Sequence, residues 1–358
     1  MTAAPPERTA RLRTALGQLQ LDGYLTAHPA DIAHLTGSTC AAAAYVPAEG
    51  RPEPCLLAVS LTEHAGAVAP EGYALLPHGL GETCAAVLAG PLRRAAPGRL
   101  STRALDPHLE RLAREVAAQA EDGDLLERLR RRQGRDTAER EGLARARRIA
   151  EAGVRALWAE ARPGVRECDL AASIEAAMRR ARAEPIGSTR LASGPRSAHA
   201  HAGPSPRVLQ AGDLGFVHVH PQWEGYGADV ARPFQLGEPS AAQLRITETL
   251  QRLHQGVLDL LRPGLTGAEV YAQALAQLEA DGMAAFFSHR LGHPLGGLRH
   301  PQLAPGEFEA LEVGDILSVG PGLYVPGTAG ARIEDNVEIT VDGAVVLTAA
   351  LPRWQRID

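Results

Sequence analysis

Within GFVHVHPQWEGYGADVARPF, residues 215–234, two histidines stand one residue apart and a lone aspartate follows. Alternate side chains of a strand share a face, so His218 and His220 point the same way. The stretch HPQWEGYG reads as a turn. With its tip near Trp223, His218 falls opposite Asp229, with side chains about 5 Å apart at Cβ. Farther along, SHRLGHPLGGLRH carries His289, His293 and His300 among glycines that let backbone approach a site closely. ARIEDN then places Arg332, Glu334 and Asn336 on one face. Two carboxylates and several histidines suit a divalent cation such as manganese, cobalt or zinc, which turns a bound water into a nucleophile near neutral pH. Taken singly, each histidine reads as a hydrogen-bonded strand residue, and Glu334 beside Arg332 as a surface ion pair.

The elements that must position these groups are legible in outline. A chain of 358 residues is long for one core, and two domains are expected, 1–133 and 134–358. In the first, Leu12, Leu16 and Leu19 have helical spacing, CLLAVS and GYALLPH read as buried strands, and HLERLAREVAAQAE reads as a helix. LRRRQGRDTAER has the polarity of a linker. The histidines of this part, His28, His34, His64, His78 and His108, are scattered and are expected to be structural or exposed.

The second part repeats itself. Asp136 to Glu139 and Ser240 to Gln243 fit capping boxes. Leu143, Ala146, Ala150, Leu157 and Ala161 follow the first at helical intervals, and Leu244, Leu250, Leu253, Val257 and Leu261 follow the second. Each helix runs into an RPG turn, at 162 and 262, then a second helix, a long loop, and a strand opening on Gly-Asp, at 212 and 314. That order, kept twice, predicts a duplication packed about a pseudo-twofold axis, with Asp229 and Glu334 meeting at the centre of the sheet.

Composition excludes several chemistries. All 37 basic residues are arginine, so a lysine Schiff base, pyridoxal attachment and a lysine-bearing phosphate loop are ruled out. Cys40, Cys55, Cys84 and Cys168 form no CxxC pair, which argues against a thiolate zinc site or a disulfide framework. The net charge of -5 is spread out, so neither a nucleic acid nor a membrane is expected as a partner. The N-terminus has no apolar core segment, and a cytoplasmic protein is expected.

The ordered set ASGPRSAHAHAG, GD, GYGADVARPF, HRLGHPLG, RH, GPGLY and RIEDN resembles the creatinase and Xaa-Pro dipeptidase family, which includes prolidase and aminopeptidase P. The resemblance covers about 137–358 and extends more loosely to GYLTAHPADIAHLTG. It implies an α+β architecture: a pita-bread C-terminal domain behind a smaller α/β N-terminal domain, assembled as a homodimer acting on small peptides. Peptidases of the family hold two metal ions with two aspartates, a histidine and two glutamates. Asp229, His293 and Glu334 match three of these. His218 stands where the first aspartate is expected, and Gly320 where the first glutamate is expected. By the same resemblance His201 and His300 contact substrate and support the reacting centre alongside Glu334, and His289 lines the pocket. Arg196, near His201, is expected to face solvent.

The two departures change the expected chemistry. Ligand charge falls from four carboxylates to two, which is poor electrostatics for two adjacent dications. The expectation is one divalent ion, zinc or manganese, on His218, Asp229, His293 and Glu334, in an Xaa-Pro dipeptidase-like hydrolase. A metal-independent amidinohydrolase like creatinase and a catalytically inactive peptide-binding homologue are the alternatives.

Overall fold

The computed structural model describes residues 6–61 and 71–358; His64 lies outside them. Its contacts divide the chain into two compact units, Met1–Gln133 and Gly134–Asp358. The expected linker is largely helical: helix Leu125–Gln133 runs up to Gly134, and helix Thr137–Glu160 begins after Asp136.

In the first unit six strands form one sheet, in the order Tyr73–His78, Cys55–Ser60, Ala41–Pro47, Gly23–Thr26, Arg99–Arg103 and Gln119–Asp122. Strand alternation divides its side chains between two cores. Ala44 and Val46 pack with Leu12, Leu16, Ile32 and Leu35 of helices Pro6–Gln18 and Pro29–Thr36. Ala43 and Tyr45 pack on the other face with Leu88, Leu92, Leu109 and Leu112 of helices Cys84–Ala95 and Pro107–Val116. Helices on both faces of a mixed sheet give the α/β layering expected. One expected helix is shorter than read. HLERLAREVAAQAE is helical only to Val116, because Gln119–Asp122 leaves to pair in parallel with Arg99–Arg103. Sheet pairing there overrides helix propensity.

The duplication in the second unit is visible bond by bond. Both capping boxes form, Asp136 with Glu139 and Ser240 with Gln243. Past each long helix the turn closes alike: Gly164 N–H donates to Leu209 O and Gly264 N–H to Leu311 O, both at 2.9 Å. At each Gly-Asp start the aspartate accepts a backbone N–H three residues back, from Gln210 to Asp213 Oδ2 and from Glu312 to Asp315 Oδ2, both at 2.8 Å. Leu244 departs from its predicted stripe and stays exposed, while Leu250, Leu253, Val257 and Leu261 are buried.

The first repeat contributes strands Ile186–Ser193, Leu214–Trp223 and Val230–Leu236; the second contributes Gly292–Pro294, Ile316–Val319, Asp335–Thr340 and Gly343–Val346. Each sheet rests on its own helices, with one core around Ile149, Val154 and Ile174 and the other around Leu250, Leu253 and Val270. The two sheets meet at one antiparallel bridge, Ala231 with Glu334. Glu334 N–H donates to Ala231 O at 3.0 Å, and Ala231 N–H donates back to Glu334 O at 3.3 Å. Arg232, fully buried, fastens this seam. It donates to Ala231 O at 2.8 Å, Glu334 O at 2.6 Å and Pro352 O at 2.9 Å, and pairs with Asp335.

Candidate active site

The hairpin that opened the sequence reading has its tip one residue later than expected, with Trp223 paired to Tyr226 across Glu224 and Gly225. His218 therefore faces Ala231, not Asp229. Asp229 is two residues from that partner and on the same face, a diagonal that an imidazole spans. His218 Nε2 does contact Asp229 Oδ1 and lies 3.2 Å from Glu334 Oε2. Strand Gly292–Pro294 presents His293 Nε2 to Asp229 Oδ2 at 3.0 Å. Donor atoms of His218, Asp229 and Glu334 all lie within 4.8 Å of one another. Asp229 and Glu334, one from each repeat, thus meet at the seam.

Around this cluster lies a cavity of about 510 Å³ whose walls include Ser188, Arg190, His201, His220, His289 and Arg290. His220 shares the face of His218 as expected and lines the wall. His300 is not among the lining residues; its Nδ1 lies 2.6 Å from Glu307 Oε2, which ties down its own loop. His289 does line the cavity, but both its nitrogens are engaged. Its Nδ1 donates to Arg290 O at 2.8 Å, so Nε2 accepts from the Tyr324 hydroxyl at 2.9 Å. Burial holds the His289 imidazole down at about 4, with Arg332 adding to the effect, and raises the Tyr324 phenol to about 12.

Arg196 keeps about a third of its side chain in solvent, 36% exposed, but it is not idle there. It pairs with the buried carboxylate of Glu167, which also accepts from Ser193 and Ser205. Glu167 thereby shapes the loop that delivers His201. His201 itself accepts through Nδ1 from Arg190, so its neutral ring carries the proton on Nε2. Burial lowers its basicity, and Arg190 and Arg332 lower it further.

The electrostatics turn on Arg332. Burial would raise the Glu334 carboxyl, but Arg332 and the neighbouring imidazoles hold it below the usual range. Arg332 Nη2 donates to Glu334 Oε1 at 3.0 Å, Arg332 Nε lies 2.9 Å from Oε2, and Ser318 Oγ donates to Oε1 at 2.7 Å. Asp229 is likewise held well below the ordinary carboxylate value, its burial outweighed by His218 and His293.

The donor set limits how many of the ions implied by the resemblance the site can hold. Two ions do not fit. Gly320 offers no donor, and Glu334 occupies the space over it, so even an added Cβ collides with that carboxylate. One ion does fit. His218 Nε2, both Asp229 oxygens and Glu334 Oε2 face one another at the seam, and Glu334 Oε2 makes ion-pair contacts to Arg332 and His218 but no hydrogen bond. His293 Nδ1 lies 3.1 Å from Pro294 O, and donating there selects the tautomer that leaves Nε2 for a metal. Sequence reasoning missed Arg190, Ser318 and Tyr324. The one available signal was Arg190 as the lone charged residue of strand Ile186–Ser193, IGSTRLAS.

Comparison with known proteins agrees with this architecture. Residues 141–341 match the model of metallopeptidase family M24. The probable dipeptidase PepE of Mycobacterium tuberculosis is 37% identical over 186 residues, covering 51% of this chain and 50% of that protein. The match therefore spans about half the length of that relative. The Xaa-Pro dipeptidase of Pyrococcus furiosus is 32% identical over 209 residues, 58% of this chain and 60% of its own. The solved structure of an Xaa-Pro dipeptidase from Bacillus anthracis superposes with a TM-score of 0.85 at 25% identity, covering 98% of this chain and 99% of that one. Across more than half its length, and with the pita-bread fold throughout the second unit, this chain belongs to metallopeptidase family M24.

Proposed function

We propose that the chain is a hydrolase of small peptides of the Xaa-Pro dipeptidase class, working around a single divalent ion rather than a pair. The observation that carries this is the convergence of His218, Asp229 and Glu334 beneath the cavity lined by His201 and His293. His218, Asp229, Glu334 and His293 would hold the ion, a two-histidine, two-carboxylate set that suits zinc or manganese. When bound there, such an ion acidifies water and polarises a carbonyl.

The chain's own groups do the rest. Neutral His201, with its proton on Nε2, donates to the scissile carbonyl oxygen as negative charge develops on it. Arg190 keeps that tautomer in place by occupying Nδ1. Arg332 and Ser318 hold Glu334 ionised and aimed at the seam, and the His289–Tyr324 pair fixes one wall. Among the described residues no helix is long and apolar enough to cross a membrane. A cytoplasmic homodimer is proposed with this activity.

The test combines elemental analysis of protein purified without chelator with turnover of an Xaa-Pro dipeptide panel. One ion per chain is expected, with turnover falling about a hundredfold in His201→Ala, the scale of losing one oxyanion donor. An ion present without turnover of any dipeptide would overturn the peptidase reading. Absence of an ion, with hydrolysis of amidino compounds, would replace it with the metal-independent alternative.

A further inference from the structure

The cavity walls carry an imbalance that the proposed reaction leaves unused. Among the described residues, one carboxylate lines the cavity, Asp229, and it is already held by His218 and His293. Arg332 is matched by Glu334. Two other arginines line the same space, and among the described residues neither pairs with a carboxylate. Arg190, half-buried, has only the neutral nitrogen of His201 as its partner, and Arg290 has only the Gln302 side-chain oxygen, at 3.1 Å. A guanidinium beside a neutral acceptor keeps most of its capacity for a carboxylate, which it binds through paired N–H donors.

Arg190 is also unusual for its place. It sits on strand Ile186–Ser193 directly across from His218, so its position is set by the same sheet register that sets the site. The next residues along that strand, Leu191 and Ala192, are fully buried and apolar.

A dipeptide brings one carboxylate, at its C-terminus, which satisfies one of the two guanidiniums. We propose that Arg190 is a specificity-determining residue that selects peptides carrying a second carboxylate, on an acidic side chain, to satisfy the other. This rests on the peptidase reading above and names the substrate class of that site.

The test uses two isosteric dipeptides, Asp-Pro and Asn-Pro, which differ in one charge. Binding to the purified full chain is followed by calorimetry, and turnover is followed in parallel. Asp-Pro is expected to bind about tenfold or more tighter than Asn-Pro, the scale of a charge-assisted hydrogen bond. That preference should shrink as salt is raised from 0.05 to 0.5 M, since ionic attraction is screened. In Arg190→Gln the ratio should fall to about one. The ratio is the readout, because any change at His201 affects both peptides alike. Equal binding of the two peptides by the parent protein, or of neither, would overturn the proposal, and so would a preference that survives in a folded Arg190→Gln. Turnover of both peptides at equal rates would remove this inference while leaving the peptidase reading standing. Selective binding of Asp-Pro without hydrolysis would remove the peptidase reading and keep Arg190 as the anion receptor.

Discussion

Gly320 and Glu334 form a matched pair. Where a carboxylate would project from position 320, the Glu334 side chain fills the space, clamped by Arg332 and Ser318. Adding a single methyl there forces a buried, ion-paired carboxylate to move. Gly320→Ala should therefore lower stability by about 1–3 kcal/mol, the usual cost of overpacking, although alanine is otherwise an undemanding replacement. Urea unfolding measures it, and an unchanged midpoint would show that Glu334 does not rest on Gly320. Restoring both acidic positions tests the same arrangement from the other side. His218→Asp with Gly320→Glu supplies two carboxylates, gives Glu334 a reason to leave the pocket over residue 320, and is expected to raise bound metal from one ion per chain to two. Elemental analysis after dialysis reports this; unchanged stoichiometry would mean these two positions do not control the number of ions.

At the scale of elements, the seam between the repeats depends on Arg232. Its guanidinium ties the strand Val230–Leu236, the strand Asp335–Thr340 and the segment at Pro352 together from a fully buried position. Arg232→Met would leave Asp335 buried beside Thr348 without its strongest cation. A loss of about 3 kcal/mol or more is expected on denaturant unfolding, because a buried charge is then uncompensated. The half-exposed pair of Arg140 with Glu338 is the control, and Arg140→Ala should cost under about 1 kcal/mol. What the sequence showed at this scale was local: capping boxes, RPG turns and Gly-Asp strand starts are each written within a few residues, so the repeat could be read directly. The helix after Pro107 was overextended because a pairing with Arg99–Arg103 ends it. The hairpin was misregistered because its tip depends on how far Gln222 and Trp223 continue the strand. Among site residues, Asp229, His293 and Glu334 were recoverable from spacing and family likeness. The Arg332–Glu334 pair was legible too, though as a surface pair and not the buried one the structure holds, whereas the place of Arg190 was not, since it depends on the register of its strand against His218.

In the second unit two histidines of lowered basicity work against stability in acid, while His293, its burial outweighed by Asp229 and its basicity raised, works the other way. Burial lowers His254, against the pull of Asp335, to about 4, and it lowers His289 to about 4 as well. Arg232 and Arg353 face His254 in addition to Asp335, and Arg332 faces His289. An unfolded chain protonates these imidazoles near pH 6.5. Between roughly pH 6.5 and 4 the unfolded state therefore binds more protons than the folded one, and stability falls as pH falls through that window. Each group contributes on the order of 3 kcal/mol across it, if fully realised. Melting temperature should drop over this range, and His254→Leu should flatten the slope; a melting temperature constant between pH 7 and 4.5 would rule the account out.

The bridge between Ala231 and Glu334 also has a consequence for the order in which the chain is made. The first repeat can pair its strands Ile186–Ser193, Leu214–Trp223 and Val230–Leu236 before residue 334 leaves the ribosome, but strand Gln355–Ile357 joins that sheet last of all, and until Glu334 arrives the repeat holds only part of the donor set. A product that stops short of residue 334 lacks one of the two carboxylates that meet at the seam, and one that stops short of residue 355 leaves an edge of the first sheet unpaired.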